Sequence, residues 1–284
     1  MRLSDKYPFL TNYFTQVISA NDRALPQSIL FYGSDLDAQY QLAQEIARLL
    51  NCKGDKSDDC ECLNCKWIDE GTHPAVMTIS RVDNKPEKDK SKTVISVQQS
   101  QMIKEQLVTT SEFHRVYIFC DRDDDGNITG LNRINFHDET ANSLLKIIEE
   151  PQPGVTFIFL TRYIDDVLST IISRSQCFFV PTKKEISYDY SLIDGIFTDY
   201  YDFERNQVFY VSQSLQDLAK ESTTEKVLEA IQNYIFMLLK SNPTRVDLIK
   251  HIEFVERANR QAQLGLKPAG IFDDLCLKLI NSQV

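Results

Sequence analysis

The chain has 284 residues and a mass of 32.8 kDa, enough for two domains at roughly 100 to 200 residues each. With 42% apolar and 25% charged residues it is neither collagen-like nor disordered. Its 31 Lys and Arg against 41 Asp and Glu leave a net charge of −10, which disfavours DNA binding by this chain alone, because counterion release needs clustered positive charge. The longest unbroken apolar runs, 234–239 and 157–160, fall far short of the roughly 20 residues that span a bilayer, so no membrane partner is expected. Met1-Arg2-Leu3-Ser4-Asp5-Lys6 leads into Tyr7-Pro8 and not into an apolar signal core, which points to a cytoplasmic protein.

In chain order, β-branched and aromatic runs predict strands at Ser28 to Gly33, Ala75 to Ile79, Arg115 to Asp121, Val155 to Thr161 and Cys177 to Val180. Between the first two, Leu36, Tyr40, Ala43, Ala47 and Leu50 recur at steps of four and three and mark one face of a helix; Ala141, Leu144, Leu145 and Ile148 do the same further on. This alternation predicts a parallel sheet covered by helices. After Pro181 the strand signal fades, and helices are expected at about 203–221, 224–241, 244–264 and 268–281. Their punctuation is capping-box spacing at Ser222 to Glu225 and first-turn prolines at Pro243 and Pro268. The Lys-containing stretch 81–92 reads as a solvated loop.

Four of the seven cysteines crowd into Cys52-x7-Cys60-x-Cys62-x2-Cys65, while Cys120, Cys177 and Cys276 stand apart. An odd count with this clustering points to a metal cluster and not to a disulfide framework. Four thiolates close a tetrahedral zinc site with no position left for water, so the Zn2+ would be structural. The intervening residues 53–59 have almost nothing to bury and need such a source of order. His73 offers a substitute ligand, or else opens the His73-Pro74 turn into the next strand.

A phosphate loop requires a strand, G-x-x-x-x-G-K-[ST] and a helix, so that backbone amides, an ammonium and a hydroxyl hold the phosphates and magnesium. The strand and helix are predicted here, but Gly33-Ser34-Asp35-Leu36-Asp37-Ala38-Gln39-Tyr40 puts Ala38, Gln39 and Tyr40 where glycine, lysine and the hydroxyl residue belong. Asp35 and Asp37 add negative charge where a polyphosphate would lie. The second ATPase element, Val116 to Asp121, is followed by Arg122 where a catalytic glutamate is needed. No ATP is expected to be bound or hydrolysed by this chain.

Thr140 to Pro151 resembles the AN-x-LLK-x-x-EEP helix of bacterial clamp loaders, Phe157 to Thr161 their sensor strand, and Thr170 to Ser175 their Ser-Arg-Cys motif, with Ser175 in place of the cysteine. With the cysteine cluster and the degenerate phosphate loop, the chain resembles the delta-prime family of DNA polymerase III clamp-loader subunits, strongly over residues 25–180 and weakly beyond. The resemblance implies an α/β AAA+ fold, a P-loop-like parallel sheet with a zinc-module insertion, followed by an all-α helical collar. The implied domains are 1–181, with the module at 52–65, a reduced lid or linker at 182–202, and a collar at 203–284.

The resemblance also implies a stator-like role without intrinsic ATPase activity. The chain would join clamp-loader motor subunits and a delta subunit in a hetero-pentameric ring that loads a sliding clamp onto primed DNA. Nucleotidyltransferase activity would belong to the holoenzyme. Asn142, Lys146 and Glu149 would lie near a subunit interface. Arg174, with Ser173 beside it, follows a short helical segment predicted from Ile164 to Ile171; such an arginine reaches the ATP of a neighbouring subunit in trans. The plainer expectation for Arg174 is a surface ion pair with Asp165, Asp166 or Glu185. Residues 123–130 read as an inserted loop. Alternative functions are an ATP-hydrolysing motor subunit of the same loader, or a zinc-dependent adaptor unrelated to replication.

Overall fold

The computed structural model describes residues 7–20, 25–57, 59–80, 97–123, 125–132, 145–149, 152–181, 189–199, 201, 204–242, 245 and 247–282. The stretch 81–92, Asn142 and Pro243 lie outside the described residues. The chain divides into two compact units, Met1–Val180 and Pro181–Val284.

In the first unit, helix α1 (Pro8–Ala20) precedes strand β1 (Ser28–Tyr32), and helix α2 (Leu36–Asn51) and the short α3 (Leu63–Asp69) lead to β2 (Val76–Ile79). Then come α4 (Val97–Val108), β3 (Arg115–Phe119), helical residues 145–149, β4 (Val155–Thr161), α5 (Ser169–Ile172) and β5 (Gln176–Phe179). The five strands form one parallel sheet in the order β2-β3-β4-β1-β5. All five strands fall where the sequence places them. The helix expected from Ile164 to Ile171 is broken: a 3-10 turn at Ile164–Asp166 and then α5, because Val167 and Leu168 turn extended.

Side-chain alternation along each strand divides the core into two. Ile29, Phe31, Val116, Ile118, Ile158 and Leu160 join Leu10, Phe14, Leu42 and Ile46 on one face of the sheet. Leu30, Tyr117, Phe119, Phe157 and Phe159 join Ile103, Leu107, Val167 and Ile171 on the other. Every residue of β4 is buried, as expected of a parallel strand covered on both faces. Tyr117 stacks on Phe157 at 5.6 Å and Phe119 on Phe159 at 4.8 Å between ring centroids.

The second unit is helical: α6 (Val208–Glu221), α7 (Thr224–Ser241), α8 (Asp247–Gln263) and α9 (Pro268–Asn281). α7 packs on α8 and α6 on α9. Residues 190–201 lay Tyr190, Phe197 and Tyr201 around Tyr234 of α7. Buried His251 forms a hydrogen bond at each ring nitrogen, one with the Tyr201 hydroxyl and one, at 2.6 Å, with that of Ser282. Pro268 opens α9 as expected. The cap of α7 differs by one residue: Thr223, not Ser222, accepts the Lys226 amide. Both are good capping residues, and spacing alone does not choose between them. The fold class is thus the expected one, a parallel α/β domain of AAA+ type with a cysteine-cluster insertion, followed by a helical domain.

Candidate metal centre and the altered phosphate loop

Helix α2 has a candidate site at each end. At its C-terminus, Cys52 is the capping residue, its amide bonded to the Arg48 carbonyl at 2.7 Å. Cys62 caps α3 and Cys65 sits buried in that helix's first turn, so two helix ends bring three cysteines together while the loop 53–61 returns Cys60. The sulfurs of Cys52 and Cys60 are 3.5 Å apart, Cys52 and Cys62 3.8 Å, and Cys62 and Cys65 3.5 Å; all four lie within 4.8 Å of one another. A tetrahedron with Zn–S bonds of about 2.3 Å has sulfur–sulfur edges of roughly 3.8 Å, so the four thiols fit one zinc ion. They are too far apart for disulfides, whose bond is about 2.05 Å, and all are free.

The surroundings prepare these thiols. The backbone amide of Cys65, aided by that of Lys53 and opposed by desolvation, pulls the Cys62 thiol down to about 6. Burial pushes Cys65 up, and the thiols of Cys62 and Cys52 push it further; without a cation, four adjoining thiolates repel one another. Asn51, at the end of α2, ties the module to the sheet. Its side chain donates to the His114 carbonyl at 3.0 Å and accepts the His114 amide at 2.9 Å, and its own carbonyl accepts from Asn64 at 2.6 Å. His73 stands outside the sulfur cluster. Its Nδ1 accepts the Ala75 amide at 3.2 Å and its ring meets Trp67 and Phe113 edge-on, so it builds the turn into β2.

At the N-terminus of α2 the groups that would hold a phosphate are already occupied. Gly33 has φ +131°, and a Cβ there would lie 2.2 Å from the Val180 carbonyl oxygen. Asp35 caps the helix by accepting the Ala38 amide at 3.0 Å and also takes the Tyr7 hydroxyl at 2.8 Å. Gln39 is fully buried and donates through Nε2 to the carbonyls of Gly33 at 2.8 Å and Thr161 at 3.1 Å. Its amide therefore folds back into the loop where a lysine would reach outward. Tyr40 bonds Thr78 at 2.9 Å and receives Arg122 Nη2 at 3.3 Å, the guanidinium lying 5.6 Å from the ring centroid. The two altered ATPase elements have become each other's partners.

The remaining sequence-selected residues gather elsewhere in this unit. Arg174 Nη2 meets Glu149 Oε1 at 2.5 Å, while Nη1 donates to the Thr170 carbonyl at 3.0 Å and to Ser173 Oγ at 3.2 Å. The ion pair joins the Ser-Arg motif to the last described residue of the clamp-loader-like helix, while Glu185 lies outside the described residues. Glu149 escaped the sequence reading as a partner because it lies 25 residues away, and no local pattern signals it. The hydroxyl of Ser175 lies 2.7 Å from that of Ser28 on β1. In the inserted loop, Asp123 accepts the amides of Asp125 at 3.0 Å and Asn127 at 2.8 Å, which closes a self-contained turn.

A parallel AAA+-type sheet domain whose phosphate loop is closed by its own side chains, and which carries a four-cysteine module after its first sheet helix, defines a class of ATPase-fold proteins with altered nucleotide elements. The family model described as DNA polymerase III, delta subunit, matches residues 8–184, and the chain belongs to the DNA polymerase III delta-prime subunit family. It is 29% identical over 155 residues to DNA polymerase III subunit delta' of Bacillus subtilis (strain 168), covering 54% of this chain and 41% of that protein. It is 23% identical over 187 residues to subunit delta' of Haemophilus influenzae (strain ATCC 51907 / DSM 11121 / KW20 / Rd), covering 65% and 52%. Against subunit gamma of Buchnera aphidicola subsp. Acyrthosiphon pisum (strain APS) it is 30% identical over 139 residues, covering 48% and 33%. The matched segments span about half or less of these relatives' lengths.

Proposed function

We propose that this chain is the stator-like, non-hydrolysing subunit of a DNA polymerase III clamp loader. It joins motor subunits and a delta subunit in a five-membered ring, and helps open the sliding clamp and place it on primed DNA. The observation that carries this reading is Gln39: the side chain at the lysine position is an uncharged amide spent on two carbonyls inside the protein. A chain that cannot use nucleotide itself contributes to an ATP-driven ring by shape and by what it presents to its neighbour.

Arg174, with Ser173 beside it, is the group so presented. Its side chain is about one-third exposed and is held in place by Glu149 and the Thr170 carbonyl. Exchanging the carboxylate for a neighbour's phosphoryl oxygens would stabilise the charge that develops in phosphoryl transfer, an effect worth about 10³ to 10⁵ in rate for arginine fingers. Zinc at Cys52, Cys60, Cys62 and Cys65 is structural in this scheme and takes no part in the chemistry.

The test is a reconstituted loader carrying Arg174→Ala. Its assembly should be intact while clamp- and DNA-stimulated ATP hydrolysis by the adjoining motor falls sharply, and Arg174→Lys should restore little because a point charge lacks the planar donor fork. Hydrolysis and loading at the parent rate would remove the trans role and leave the scaffold role. The likeness to a gamma subunit favours a second reading, an ATP-hydrolysing motor. Micromolar binding of labelled ATP to the isolated chain, abolished by a charge placed at Gly33 or Ala38, would establish it.

A further inference from the structure

We propose that Gly54 is a positioning residue of the four-cysteine centre, holding Cys52 through its amide and giving Cys60 room to close the tetrahedron. The inference rests on the zinc reading above and goes beyond the four ligands. Four thiolates around one divalent ion carry a net charge of −2, and Cys65 is buried. That charge needs a nearby donor or cation, because a buried, uncompensated charge is costly.

Gly54 acts by its backbone and by what it lacks. Its amide donates to Cys52 Sγ at 3.3 Å. A Cβ at this position would stand 2.5 Å from Cys60 Sγ, 3.5 Å from Cys62 Cβ and 3.7 Å from Cys52 Sγ. Gly54 has no positive φ to explain it, so the requirement here is space. Any side chain would push Cys60, the ligand with the least usual spacing, away from its partners.

The experiment uses the full chain. Zinc content is measured by elemental analysis, zinc affinity by competition with a chromophoric chelator, and ligand geometry by the visible spectrum of the cobalt-substituted protein. Gly54→Ala should weaken zinc binding about 10- to 100-fold, the range seen for outer-shell partners, and should in addition weaken the tetrahedral thiolate spectrum of cobalt.

Parent-level zinc affinity in Gly54→Ala overturns the role of Gly54. Failure of the zinc reading itself looks different: the parent chain would then hold no zinc, take up no cobalt with a tetrahedral spectrum, and show four alkylatable thiols in this segment.

Discussion

The two ends of helix α2 show opposite outcomes of keeping a site's framework. At the N-terminal end the strand, turn and helix of a phosphate loop survive, but Asp35 and Gln39 have taken up the amide and carbonyls that a ligand would engage. At the C-terminal end four sulfurs converge at the spacing of a tetrahedron, and the Gly54 amide points toward them. Framework alone therefore does not mark a binding site. What separates the two ends is whether the functional atoms are spent on each other or aimed at a common centre.

The largest effect should come from attacking the open end. Removing metal with a strong chelator should release the segment 52–69 to limited proteolysis while the sheet core stays protected, because structural zinc contributes on the order of 10 kcal/mol to small sites. A parent chain with about one zinc, and proteolysis confined to this segment after stripping, would sharpen the contrast; an unchanged digestion pattern would break it.

At the closed end, Gly33→Ala should destabilise the sheet domain by about 3 kcal/mol, since the new Cβ meets a carbonyl at 2.2 Å and φ is +131°. Gln39→Leu should cost about 2 kcal/mol, by taking the amide donor from the buried carbonyls of Gly33 and Thr161. Both are read from urea midpoints at fixed zinc. If Gln39→Leu matched the parent, the amide would not be closing the loop.

The smallest effect concerns His73, in the turn between the module and β2. Burial lowers its pKa, so the unfolded chain takes up a proton more readily than the folded one. Its contribution to stability is whole above the unfolded value of about 6.5 and is lost as the pH falls through the lower folded value. Urea midpoints between pH 7.5 and 5.5 should fall more steeply for the parent than for His73→Asn; parallel profiles would count against a buried neutral imidazole.

Much of this was legible in the sequence because the signals are local. Five apolar runs gave five strands, and steps of three and four gave α2. Helix α1 was missed although Leu10, Phe14 and Ile18 line up at i, i+4, i+8; its many aromatic and β-branched residues are weak helix formers and blur that signal. The seven residues of α3 are too few to show a period, and among its described side chains α4 contributes Ile103 and Leu107 to the core. The four-cysteine cluster was readable as a set, but Gly54 was not, since it belongs to no ligand pattern. Nor was the Gln39 bond, whose second acceptor lies 122 residues away.

That last bond bears on reversibility over evolutionary time. Once glutamine satisfied the carbonyls of Gly33 and Thr161, the position became part of the folding core and ceased to be a free surface on which lysine could be regained. A single reversion at residue 39 would enclose an ammonium where an amide now sits, with Asp35 still capping the helix, Ala38 still in place of glycine and Arg122 still on Tyr40. At least these positions would have to change together, and each change alone would lower stability before any nucleotide could be held. Ordinary hydrogen bonding thus makes a lysine at this position a matter of several coordinated changes and not of one.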